Sequence, residues 1–408
     1  MTEHTNTPEL RFPGFKDEWK LQKLGNLAQF SKGKSLSKKD LNINGNPCIL
    51  YGELYTKYGA ILNKVYSKTS TQNDSLVFSK RNQILIPSSG ETDIDIATAT
   101  AIDTDVKIAI GGDLNIITPI NSDGRFISLY INGKGKYNLA KYAQGKSVVH
   151  LYNSDIKKLN FYLPTNMAEQ KKVGDFFSKL DCQIELEEKK LELLEQQKKG
   201  YIQKIFSQEL RFKDENGNNY PNWEMKKLGN IANIVGGGTP STKKSEYWDG
   251  DINWFSPVEI GDKEFVSTSQ RRITEKGLEK SSAKVLPIGT VLFTSRAGIG
   301  KTAILSKEAT TNQGFQSIVP KENDLDSYFL YSMTSILKRN AEKVGAGSTF
   351  SEVSRKQMEQ IKLLIPILKE QKQIGRLFQI INRKINKQIH KIELLKQRKK
   401  GLLQKMFV

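Results

Sequence analysis

Two cysteines, Cys48 and Cys182, and three histidines, His4, His150 and His390, are all the thiol and imidazole metal ligands in a chain of 408 residues. So few cysteines exclude a disulfide framework and a cysteine-rich zinc site, and histidines this scattered supply neither a metal trio nor a Ser-His-Asp triad. No Pro-Pro pair occurs, so the Asn-Pro-Pro or Asp-Pro-Pro tetrapeptide expected of a methyltransferase is missing. Carboxylate pairs such as Asp93 and Asp95 lack the spaced lysine of a nuclease motif. No apolar run approaches the roughly eighteen residues of a membrane span, and Met1 to Pro8 is polar. A soluble, cytoplasmic, non-catalytic protein is expected, with His150 a loop residue near nucleic acid or solvent.

One motif comes close to an enzyme. Gly298-Ile299-Gly300-Lys301-Thr302 follows the apolar run Val291-Leu292-Phe293-Thr294 and looks like a phosphate-binding loop. That loop requires glycine six residues before the lysine, where Ser295 stands.

What the chain has in excess is positive charge and self-similarity. The formal charge is +19, which favours a polyanionic partner through counterion release. Trp19 to Ala28 matches Trp223 to Ala232, and Leu10-Arg11-Phe12 matches Leu210-Arg211-Phe212. Ser147, Leu151, Ile156, Leu159 and Pro164 recur as Thr349, Val353, Met358, Ile361 and Pro366. Glu169-Gln170, Gly174, Phe177, Lys199-Gly200 and Phe206 recur as Glu370-Gln371, Gly375, Phe378, Lys400-Gly401 and Phe407. One unit of about two hundred residues is therefore written twice, as repeats at near-constant offset imply.

The last block predicts a helix. Val173, Phe177, Leu180, Ile184, Glu187, Leu191, Leu194, Lys198, Tyr201 and Ile205 advance in steps of four and three, and the second copy keeps its two polar slots at Gln388 and Lys399. Two narrow seams in one chain suit an antiparallel coiled coil, with the polar slots facing as Glu187 with Lys399 and Lys198 with Gln388. The boundaries expected are a lobe at 1–165, a helix at 166–207, a second lobe at 208–366 and a second helix at 367–408. The fold class is α+β: two similar lobes in tandem with a two-helix spacer of pseudo-two-fold symmetry. Charge is unequal, with net values of +6 over 1–164, 0 over 165–206, +3 over 207–364 and +10 over 365–408. On the last helix Arg376, Arg383, Lys384, Lys387, Lys391 and Lys396 form a basic face suited to DNA or to an acidic protein subunit.

Within the lobes, Pro47–Tyr51, Gln83–Pro87 and Asn115–Pro119 read as strands, with Ser128–Gly133 after a short helix; Ile252–Phe255, Thr290–Thr294 and Ser317–Pro320 take similar parts. Small and polar residues collect between them, as in Ser31 to Ser35 and Gly236-Gly237-Gly238-Thr239-Pro240-Ser241. Such loops bring backbone to phosphate while side chains reach base edges. The candidate DNA contacts are Lys32, Lys34, Ser88, Ser89, Thr92, Lys146 and Ser147 in the first lobe. In the second they are Thr239, Ser241, Arg271, Arg272, Arg296, Lys301, Asn312, Gln313, Ser348 and Thr349. Arg296 stands out because it follows an apolar strand and precedes a glycine turn. A nucleotide-binding enzyme and a coiled-coil RNA-binding scaffold remain competing readings.

Taken together, the duplicated lobe start, the Glu-Gln-led helix ending in Lys-Gly, the Gly-Gly-Gly-Thr-Pro turn and the Ser295-Arg296 strand end resemble the specificity subunits of type I restriction-modification systems. The resemblance covers almost the whole chain, except that the first lobe lacks the Gly-Thr-Pro turn. It implies two target recognition domains, each reading half of a bipartite, asymmetric site on double-stranded DNA, and helices that set the gap. It also implies two methyltransferase subunits and two motor-nuclease subunits as partners, with S-adenosylmethionine, ATP and Mg on those partners and no cofactor on this chain.

Overall fold

Two helices, Met167–Phe206 and Leu368–Lys405, carry the seams in the computed structural model, which describes residues 6–34, 36–71, 76–296, 298–345 and 352–408. Both are rich in Leu, Ile, Lys and Gln and contain no proline, so nothing interrupts them for about 60 Å. No helix among the described residues is long and apolar enough to cross a membrane.

The chain forms two compact units, 1–190 with 388–408, and 191–387. The division falls inside both long helices, where lobe and helix were expected to separate at the helix ends. In the first unit the helix segments run antiparallel, with Glu187 bonded to Gln388 and Lys391, Glu188 paired to Lys396 at 2.6 Å and Asp181 to Lys399 at 2.5 Å. The expected facing of Glu187 with Lys399 is therefore wrong by about two turns or more. The amide of Gln388, at the same repeat position as Glu187, donates to its carboxylate at 2.7 Å, a pairing that needs no buried cation. Gln388, the expected partner of Lys198, is thus taken by Glu187; Lys198 is half-buried in the second unit, where burial lowers its pKa and Glu264 opposes that fall. Hydrogen bonds from Gln388, then Lys391, hold the Glu187 carboxyl below its usual range. This contribution is present above the ordinary carboxylate pKa and is lost as pH falls through the lowered one.

Each lobe is mixed. In the first, Ala28–Lys32, Leu114–Pro119, Ile84–Pro87 and Thr100–Ala101 form one antiparallel sheet. A second sheet runs Leu41–Asn42, Ser67–Thr69, Asn46–Ile49, Ala109–Ile110 and Val77–Phe78. In the second lobe, Ala232–Gly236, Gln316–Pro320, Val291–Phe293, Thr302–Leu305 and Phe265–Val266 make one sheet, and Arg271–Ile273, Trp248–Phe255 and Thr310–Thr311 another. Two strand assignments need correction. The strand at Pro47 stops at Ile49 because Glu53 turns back to accept from the Leu50 amide at 3.0 Å, opening the helix Tyr51–Thr56. Ser128–Gly133 is no strand but the end of the helix Gly124–Asn132; nearly every residue of that helix is buried, so no alternation marks it.

The repeated motifs turn out to be a clamp. Glu169 is buried at the head of the first helix and takes two bonds from Arg11, at 2.7 and 2.8 Å, and one from the Trp19 indole. Glu370 does the same with Arg211, at 3.2 and 2.7 Å, and with Trp223. The neighbouring glutamines complete it: Gln170 donates to Pro164 O and accepts from the Asp123 amide, as Gln371 does with Pro366 and Asp326. Beneath the clamp, Phe407 packs on Trp19 and Phe126 in one unit, and Phe206 on Trp223 and Phe329 in the other. The backbone repeats as well, with the Leu10 amide on Lys405 O at 2.9 Å and the Leu210 amide on Lys204 O at 3.0 Å.

Gly200 and Gly401 are helical, and a methyl group at either would meet nothing within 4 Å. Gly200→Ala and Gly401→Ala should each raise stability by about 0.5–1 kcal/mol, measured by urea denaturation, since only helix propensity changes.

Candidate nucleic-acid interface

Each lobe has an interior strand that leads into a buried serine held on both sides by backbone. Ser295 donates its amide to Gly314 O at 2.9 Å and accepts from the Val353 amide at 2.9 Å. Ser88 donates to Asp113 O at 2.9 Å and accepts from the Leu151 amide at 3.1 Å. The Ser88 backbone is thus part of the frame. The next residue is the first to emerge, Ser89 in one lobe and Arg296 in the other, both half-buried. The Ser89 hydroxyl lies 3.3 Å from His150 Nδ1, while the Arg296 guanidinium has no ion pair among the described residues.

Around Ser89 the first lobe gathers cations and aromatic faces. His150 stacks on Tyr152 at 6.1 Å, Lys32 lies 5.7 Å from the Tyr152 ring, and the Asn153 amide donates to Ser31 O at 3.0 Å. Gly33 is required here, because a Cβ would lie 2.0 Å from Gly111 O. Lys34 follows on the same loop, its amide on Ile110 O. Thr92 is exposed, and its hydroxyl caps Asp93–Ile96 by accepting from the Asp95 amide. Lys146 and Ser147 are exposed on the turn between Gln144 and His150. Ser35, in the first loop, lies outside the described residues.

In the second lobe the glycine-rich turn is pressed onto its neighbour, since a Cβ at Gly237 would lie 1.9 Å from Asn312 O. The Gly238 amide bonds Thr311 O at 2.8 Å, and Thr239 bonds Gln313. Asn312 accepts from the Gly314 amide at 2.8 Å, so it shapes this turn. Trp254 donates to Gly238 O at 2.8 Å and Trp248 to Ser241 O at 3.2 Å, fastening the turn to the sheet that exposes Arg271 and Arg272. Strand register places Lys68 in the first lobe where Arg272 stands in the second: Pro47 pairs Lys68 as Asn253 pairs Arg272. Sequence inspection missed Lys68 and Tyr152, whose relation to the other candidates appears only through pairing and stacking. Ser348 and Thr349 lie outside the described residues.

Lys301 does not sit in a phosphate loop. Thr302–Leu305 is a strand, not a helix, and the segment before it is a hairpin in which Thr294 accepts from the Lys301 amide at 2.9 Å and donates to Gly298 O at 2.7 Å. The helix N-terminus that such a loop supplies to phosphate is missing. The basic face of the second long helix is also thinner than its composition suggests. Lys391 and Lys396 are spent on Glu187 and Glu188, which leaves Arg376, Arg383, Lys384 and Lys387 exposed.

A family model described as type I restriction modification DNA specificity domain matches residues 16–196 and again 220–396. The type I restriction enzyme MjaIX specificity subunit of Methanocaldococcus jannaschii is 37% identical over 174 residues, 42% of this chain and 40% of that protein. The EcoR124I/EcoR124II specificity subunit of Escherichia coli is 35% identical over 159 residues, 37% of this chain and 39% of that protein. These alignments thus span about two fifths of the relatives' length. In fold, the S subunit of a type I restriction-modification system from M. genitalium is similar at a TM-score of 0.63 and 18% identity, covering 98% of this chain and 99% of that one.

Proposed function

Because the chain belongs to the family of type I restriction modification DNA specificity domains, we propose that it is the non-catalytic, cytoplasmic DNA-reading subunit of such a complex. Each lobe reads one half of a bipartite, asymmetric site on double-stranded DNA, and the long helices set the unread gap. Two methyltransferase subunits dock on this chain to direct adenine methylation, and two motor-nuclease subunits join for restriction. S-adenosylmethionine, ATP and Mg act on those partners.

One observation carries this reading: the two lobes share a frame down to individual backbone bonds, yet diverge at the residue that leaves it. Ser88 and Ser295 are held alike, whereas Ser89 and Arg296 differ in length, charge and donor count. A fixed frame with a variable exit suits two readers of one backbone and two sequences. The test is Arg296→Ala in the assembled methyltransferase. Affinity should fall about ten- to a hundredfold on DNA carrying the second half-site, with discrimination at the first unchanged. Equal loss at both half-sites, or none, refutes separate readers.

A further inference from the structure

Beside the glycine-rich turn, Arg271 is held in an unusual way for an exposed arginine. Its guanidinium carbon lies 3.6 Å from the centre of the Trp248 ring and 5.9 Å from that of Trp254. The two indoles stand edge to face at 5.1 Å and are both buried, each with its N–H spent on the turn Gly238–Ser241. The platform is rigid, and stacking on it fixes the plane of the guanidinium. Among the described residues no carboxylate or carbonyl takes up its N–H groups. Strand register gives the first lobe Ser67 at this position, with its hydroxyl on Glu53 at 2.5 Å.

A planar, oriented donor fork with unspent N–H groups matches a pair of acceptors on one base edge, and guanine offers O6 and N7 in the major groove. Resting on the reading of this chain as a two-lobe DNA binder, we infer that Arg271 reads one guanine of the second half-site, with Trp248 as its positioning residue. With Ser67 at the matching register position, the first lobe has no arginine there.

The experiment uses the methyltransferase complex and its own bipartite site. Each guanine of the second half-site is replaced in turn by 7-deazaguanine, which lacks the N7 acceptor. At one position the replacement should weaken wild-type binding about five- to tenfold. Arg271→Lys, which keeps the charge and loses the fork, should bind the unmodified site about ten- to a hundredfold more weakly and be indifferent to 7-deazaguanine there. Trp248→Phe, which keeps a smaller platform, should retain part of the N7 dependence, and Trp248→Leu should retain less. Full sensitivity to N7 at every guanine in Arg271→Lys overturns the assignment, as does equal weakening on unrelated DNA, which marks a phosphate contact. A second half-site without guanine also overturns it. In each case the two-reader function stands if wild-type protein still discriminates both half-sites, and falls if it does not.

Discussion

Glu370→Ala should destabilise the second unit by about 3–5 kcal/mol, the usual result of removing one partner from a buried ion pair. The carboxylate is fully buried and satisfies two groups at once, the Arg211 guanidinium and the Trp223 indole N–H. Alanine leaves the indole N–H without its acceptor and the guanidinium with Pro221 O alone, beneath the helix they anchor, whereas Glu370→Gln keeps an acceptor and should cost less. Urea denaturation followed by tryptophan fluorescence measures it, with Glu169→Ala as the companion in the first unit. An unfolding free energy within about 0.5 kcal/mol of the parent would show that the clamp is ornamental.

Removing one heptad from the middle of both long helices should abolish binding to the natural gap, a loss of about a thousandfold or more, because specific affinity exceeds non-specific affinity by at least that factor. Seven residues shorten a helix by about 10.5 Å and preserve the apolar seam. That length corresponds to about three base pairs, which also rotate the groove by roughly a quarter turn or more. Selection from duplexes of randomised gap length would find the new optimum. An unchanged preferred gap would show that the helices do not measure distance.

Much of this was legible in the sequence, and the reasons separate cleanly. The helices and the duplication were visible because steps of four and three persist through forty residues, and because Trp19, Glu169 and Gln170 and their copies are fixed by contacts that tolerate little change. The register was not visible. A seam says which face is buried but not how far one helix slides along the other, and only the pairing of Glu187 with Gln388 decides it. The candidate contacts divided in the same way. Residue type nominated Ser88, Thr92 and Asn312, but their polar atoms or backbone serve the lobe itself, and sequence does not record which polar groups are already spent. Lys68 had no local signal, since its likeness to Arg272 rests on strand pairing across a loop of different length.

The bond from Leu10 to Lys405 has a kinetic meaning. Its counterpart, Leu210 to Lys204, closes a loop of roughly six residues, whereas this one closes roughly four hundred, at about 4 kcal/mol more in chain entropy. The second unit is one continuous stretch, 191–387, but the first needs residues 388–408 to cover Trp19 and Phe126 with Phe407. On the ribosome the lobe made first is therefore the lobe finished last, and it waits with its core open while the other is built.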